Sequence, residues 1–362
     1  MNLRARRRRM RVALVWLWVG LVGCDGAGGG AGCGRREPAV AAPGAASAGG
    51  PAGASGRKVL RIAMIGKSST NPVFLSARTG AEIRARELSA TRGTPVEIVW
   101  LTPPGEDGDV QAQRVRQAVN EGVDAVLISC SDAAKVTRAI DDAVAHGVPV
   151  MTFDSDAPGS RRFSYVGVDD FETGRTLMSE LARLMNERGK VAVLAGNKDA
   201  PNLRKRLEGL RREAARHPGV KIVETYFHVE TPQDASAEVL RATRAHPEVV
   251  GWAMVGGWAL YTKTLLSELA PGRYIIVSVD ALPPTLIYVE KGLVPVLLAQ
   301  PSYLWGTVGV ETIVDKLLLK KEPPPVIPME LLKVTKENFG AWARQLKGWG
   351  FADVPEQYLE LK

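Results

Sequence analysis

Histidine and cysteine are scarce: the 362-residue chain holds four of the first and three of the second. His146, His217, His228 and His246 are scattered, and His217 and His246 stand in His-Pro pairs of the kind found in turns. Cys24, Cys33 and Cys130 show no metal-ligand spacing and imply no disulfide framework. Cys130 ends an apolar run and reads as a small buried residue rather than a nucleophile. Catalytic signatures are missing as well. There is no Gly-x-Ser-x-Gly elbow and no His-Glu-x-x-His helix. Gly66-Lys67-Ser68 matches the end of a phosphate-binding loop, but the required earlier glycine falls at Arg61, inside a strand, so the motif fails. No catalytic residue, cofactor or metal is expected.

An excess of one charge is lacking too, once its location is considered. The net charge is +8, yet Arg4, Arg6, Arg7, Arg8, Arg9 and Arg11 all precede Val12. Without those six the chain has 41 basic against 39 acidic residues, so nothing points to nucleic acid or another polyanion. The arginines precede an apolar run from Val12 to Val22 that is too short to span a bilayer as a permanent helix. It ends in Leu21-Val22-Gly23-Cys24, which resembles the lipobox of bacterial lipoproteins. The reading is a signal peptide over 1–23, lipidation at Cys24, and attachment to the membrane of the cell envelope. The arginine cluster also suits twin-arginine export. Residues 24–56 are rich in Gly, Ala, Pro and Ser without hydrophobic period, the composition of a tether.

From Lys58 onward the pattern changes. Continuous apolar runs at Val59–Ile65, Val96–Leu101, Ala125–Ser129, Val148–Phe153 and Phe163–Val168 read as strands. Between the earlier of these, Val73–Ser89, Val110–Asn120 and Ala133–Ala145 have helical spacing. A second set follows, with strands at Val191–Ala195, Val220–Tyr226, Val249–Val255, Tyr274–Val279 and Val294–Ala299. Such alternation predicts an α/β fold with two doubly wound parallel-sheet lobes. Ligands of such sheets bind beyond the carboxyl ends of the strands. In the tail, Phe339, Trp342, Leu346 and Trp349 fall at near-helical spacing and predict a packing helix.

The strand ends carry Asn71-Pro72-Val73-Phe74, Pro149-Val150-Met151-Thr152-Phe153-Asp154, Tyr165-Val166-Gly167-Val168-Asp169-Asp170 with Gly174, Val277-Ser278-Val279-Asp280 and Leu298-Ala299-Gln300-Pro301. In this order they resemble the periplasmic ribose-binding protein family, whose sugar-binding domain is shared with lactose-repressor-type regulators. The resemblance runs from about Lys58 to Val334. It implies two lobes joined by a three-segment hinge near Val168, Pro301 and the stretch from Val326 to Leu331. The N-terminal lobe is expected over 57–168 plus 301–328. The C-terminal lobe is expected over 169–300 plus 329–340, with an extension over 341–362. It further implies a monomer that captures a sugar or sugar-like polyol and closes on it. The closed form is then delivered to an ABC permease, or alternatively read by a membrane sensor. The stretch before Lys58 has no helix-turn-helix pattern, which disfavours a repressor.

A sugar offers hydroxyls in fixed directions and weakly apolar ring faces, so its site needs hydrogen-bonding groups and aromatic surfaces. By resemblance, Asn71, Asp154, Arg204, Asp280 and Gln300 match binding positions, Phe74 a ring-stacking one and Ser129 a polar one. An aspartate after a strand also caps helices and forms turns. Phe74 also suits the core, and Gln300 the hinge. Asp169 and Asp170 read as helix start and crossover. Trp258 follows a strand, a place open to cleft and core alike. Two departures stand out: Ser155 replaces the pattern's arginine, and Gly256-Gly257 its Asn-Asp pair. Both reduce the donors available to a ribose ring.

Overall fold

The computed structural model describes residues 59–361, so the signal-peptide, tether and Cys24 readings lie outside the described residues. The first half runs β1 (Leu60–Ile65), α1 (Pro72–Arg92), β2 (Val96–Trp100), α2 (Gly108–Asn120), β3 (Ala125–Ile128), α3 (Ala133–Ala145), β4 (Val150–Phe153) and β5 (Ser164–Gly167). The second half repeats the scheme with α4 (Asp170–Leu184), β6 (Gly189–Gly196), α5 (Pro201–Ala214), β7 (Val220–Phe227), α6 (Pro232–Ala245), β8 (Val249–Met254), α7 (Thr264–Glu268), β9 (Ile275–Val279), α8 (Pro283–Glu290) and β10 (Val296–Ala299). The chain then continues through α9 (Ser302–Leu319), β11 (Val326–Pro328), β12 (Leu332–Val334), α10 (Phe339–Gly348) and α11 (Glu356–Leu359).

The strands form two six-stranded sheets, ordered β11-β5-β4-β3-β1-β2 and β12-β10-β9-β8-β6-β7. Each contains the same doubly wound order, and pairing is parallel except between β10 and β12. The α/β, two-lobe fold class is as expected from the sequence. Strands β3, β4, β5 and β10 are buried along their whole length, which accounts for their largely apolar sequences, with the buried Thr152 and Ser164 hydrogen-bonded to Asp156 and the Pro324 carbonyl. Aspartates set several helix starts: Asp107, Asp132 and Asp169 accept backbone N–H bonds at the N-termini of α2, α3 and α4.

The chain passes between the sheets three times. Residues 168–169 lead from β5 to α4, residues 300–301 from β10 to α9, and residues 329–331 from β11 to β12. Helix α9 packs against α1, where a Cβ on Gly306 would lie 1.9 Å from the Ala77 carbonyl oxygen. The tail forms a strap over both lobes. Phe339, Trp342 and Leu346 are buried on α10, and the Trp342 indole donates to the Ala281 carbonyl at 2.6 Å. Trp349 stacks on Tyr303 of α9 at 5.4 Å.

Candidate functional site

In each lobe the order of strands reverses at its first strand, β1 in one and β6 in the other, and this is where doubly wound sheets hold ligands. The loops after β1, β4, β6, β8 and β9 meet between the lobes. Asp154 follows β4, and Asp280 follows β9, the equivalent strand of the second sheet. Both have left-handed backbone, with φ of 56° and 74°. Aspartate is among the few side chains that visit this region readily, and the matched turns aim both carboxylates into the cleft.

Each carboxylate is held by its surroundings. Asp154 accepts from Ser129 Oγ at 2.8 Å and, across the cleft, from Asn202 Nδ2 at 3.1 Å. Asp280 accepts from Gln300 Nε2 at 2.8 Å and from the Gly257 backbone N–H at 3.0 Å. Arg206, only 2% exposed, ties the set together. It donates to Asp170 at 2.9 Å, to Gln300 Oε1 at 2.6 Å and to the Val255 carbonyl at 2.9 Å. It also lies 3.9 Å from Asp154. Burial pushes the Asp170 carboxyl up to about 6, against the pull of Arg206.

Asn71, Phe74, Trp258 and Glu230 complete the lining of a cavity of about 20 Å³. That is room for a water and no more, so a larger ligand can enter only when the lobes part. Asn71 also caps α1 by accepting from the Val73 N–H at 3.0 Å. Phe74 is 2% exposed and meets Phe153 edge to face. Trp258 explains one departure from the ribose pattern. A Cβ on Gly256 would lie 2.4 Å from its indole, so the aromatic ring occupies the space an asparagine there would need.

Three expected site residues sit elsewhere. Arg204 is exposed on α5, and the buried guanidinium is that of Arg206. The buried residues Asn202, Leu203, Arg206, Leu207 and Leu210 define the inner face of α5, and position 204 falls on the outer one. Ser129 does not line the cavity; it is fully buried and positions Asp154. Ser155 is likewise buried, beneath the cavity rather than on its wall. The sequence reading passed over Lys67, Asn202, Arg206 and Glu230. The apolar phase of α5 is the signal that would have found Asn202 and Arg206. Asp170, read as helix start, turns inward to Arg206, whereas Asp169 does cap α4. Cys130 is buried, and burial pushes its thiol well above the ordinary range, as expected of a packing residue. Among the described residues no cluster of potential metal ligands occurs.

Two doubly wound lobes, a three-strand hinge and a polar cleft with one aromatic wall define the class of hinged ligand-binding proteins. The chain belongs to the periplasmic binding protein domain family, which matches residues 62–322. Among curated proteins it is similar to the ribose import binding protein RbsB of Bacillus subtilis, with 30% identity over 164 residues, 45% of this chain and 52% of that protein. It is also similar to the xylose/arabinose-binding protein XylF of Sulfolobus acidocaldarius, with 21% identity over 268 residues, 68% of this chain and 63% of that one. The chain thus spans about half to under two thirds of the length of these relatives. Among solved structures it is similar to an ABC transporter solute binding protein from Burkholderia graminis in complex with D-arabinose. There the TM-score is 0.72 at 27% identity, covering 77% of this chain and 96% of that one.

Proposed function

We propose that this chain captures a sugar or sugar-like polyol between its lobes and delivers it to an ABC importer. The observation that carries the reading is the pair of aspartates at equivalent strand ends, one from each lobe. They supply acceptors that converge only when the lobes are closed. An aromatic wall at Trp258 and the Arg206–Gln300 pair add the stacking surface and donors that a hydroxylated ring requires. The sugars bound by the relatives support the class. The Gly256–Trp258 exchange argues against ribose, which should bind at least about 10³-fold more weakly than the true ligand. Attachment to the envelope membrane through Cys24 belongs to the same reading. Among the described residues no helix is long and apolar enough to cross a membrane.

The test is a thermal-shift screen of pentoses, hexoses and polyols on residues 57–362, followed by small-angle scattering with any hit. A raised melting temperature and a smaller radius of gyration are expected. A hit that binds in the cleft without moving either lobe defeats the closure model. For the anchor, Cys24→Ser is expected to release the protein from membranes. Wild-type chain without an acyl group in mass spectrometry rules the anchor out.

A further inference from the structure

Beside the aspartates lies a second charged group that the sugar reading leaves unused. Glu106, from the loop after β2, and Glu230, from the loop after β7, approach from opposite lobes and line a groove of about 600 Å³, and Glu230 also lines the cavity. The Glu106 side chain is 9% exposed, and neither of its buried oxygens is reached within hydrogen-bond distance, the facing donors being the Asn197 side chain and Lys67. Glu230 Oε2 likewise has no hydrogen-bond partner, while Oε1 accepts from the Asn197 N–H at 2.9 Å. One buried cation is near, the Lys67 ammonium, 3.8 Å from Glu106 Oε1 and 5.9 Å from the centre of the Phe74 ring; Lys135, paired with Asp109, and Lys198 are exposed residues of the groove.

One buried ammonium against the enclosed Glu106 carboxylate and the half-buried Glu230 leaves a net negative charge, and burying such a charge without compensation is expensive. Burial and then the facing Glu230 push the Glu106 carboxyl well above its ordinary range, against the attraction of Lys67. Closure of the lobes therefore asks for one more positive charge at this place. A neutral sugar brings none, so closing on it must take up a proton. A ligand with an ammonium group brings both the charge and the donors that the orphaned oxygens lack.

We propose that Glu106 and Glu230 form a subsite for a ligand ammonium group, so that the preferred ligand is an amino sugar or amino polyol. This rests on the sugar reading of the cleft and narrows it. The neighbouring groove gives a substituent on that nitrogen a way out of the cavity.

The test is calorimetry on the full chain, purified in detergent and freed of ligand by unfolding and refolding. The probes are hexosamines, pentosamines and 1-amino-1-deoxy polyols, each beside its neutral parent. At least one amino compound is expected to bind about tenfold or more tighter than its parent. The advantage should shrink to about threefold or less in Glu230→Gln and in Glu106→Gln, and in the wild type above the pKa of the amine itself. That last measurement decides the matter even if a variant does not fold. Neutral parents bound as tightly as their amino counterparts overturn the subsite and leave the sugar reading standing. Neutral binding that does not change with pH shows that closure takes up no proton, and it overturns the charge deficit on which the subsite rests. If nothing in the panel binds, the sugar reading fails and the subsite with it.

Discussion

Asp154 and Asp280 sit on left-handed backbone, a conformation that costs an L-residue roughly 1–2 kcal/mol. The aspartate side chains are therefore held in place by a turn built for them. Asp154→Ala or Asp280→Ala should leave ligand hydroxyls unpaired and lower affinity by about 1.5–3 kcal/mol in calorimetry, with folding retained. Arg206 differs, because it is fully enclosed and its removal strands Asp170 and Gln300. Arg206→Ala should cost about 3–5 kcal/mol of stability in denaturant unfolding. Arg204→Ala, on the outer face of the same helix, should stay within about 0.5 kcal/mol of wild type. Asp170 makes stability depend on pH. Its folded value of about 6 lies above the unfolded value near ~3.9, so the folded chain holds the proton more tightly in between. Its contribution is complete below about pH 4 and is lost as pH rises through 6, a change on the order of 2–3 kcal/mol. Asp170→Asn should flatten the unfolding free energy over that window. An unchanged slope would assign it to another group.

Elements were the most legible level of the sequence. Strands buried on both faces read as largely apolar runs, broken only by small hydroxyl residues such as Thr152 and Ser164 that find hydrogen-bond partners, and α3 has the limits that its spacing predicts. The site was read less well, for two reasons. Arg204 and Arg206 lie in one basic stretch, and family position favoured the first, although the apolar phase of α5 turns the second inward. Between Gly174 of α4 and Arg206 the backbones touch: a Cβ on Gly174 would lie 1.9 Å from the Arg206 carbonyl oxygen. The glycine in the quoted motif thus serves the seat of the arginine. Glu106 and Glu230 were invisible for a different reason. Each is an ordinary loop acid until two distant segments bring them together. The strap was legible as a helix but not as a bridge. Trp342 is 6% exposed and bonded to Ala281, next to Asp280. Trp342→Ala should cost about 3–5 kcal/mol in thermal or denaturant unfolding and weaken ligand binding as well. Loss of stability with unaltered affinity would show that the strap does not support the Asp280 turn.

At the scale of the whole molecule, two similar lobes each bring one aspartate to the cavity, and the strap rests on both. The three short connections at 168–169, 300–301 and 329–331 therefore do more than permit motion. In the proposed cycle, once a ligand rests on one lobe, they set the effective concentration at which it meets the other. Ligand affinity is then a chelate affinity, the product of two weak half-sites and the stiffness of the tethers between them. Such a protein can be retuned from a distance. Pro301→Gly frees one tether without removing a group that lines the cavity. It should raise the dissociation rate a few-fold, on the order of 1 kcal/mol, while stopped-flow association stays near its wild-type value. In such an arrangement the hinge is an affinity determinant in its own right. Lineages that share all the cleft residues can differ in the sugar concentration they report simply by how freely the two halves swing.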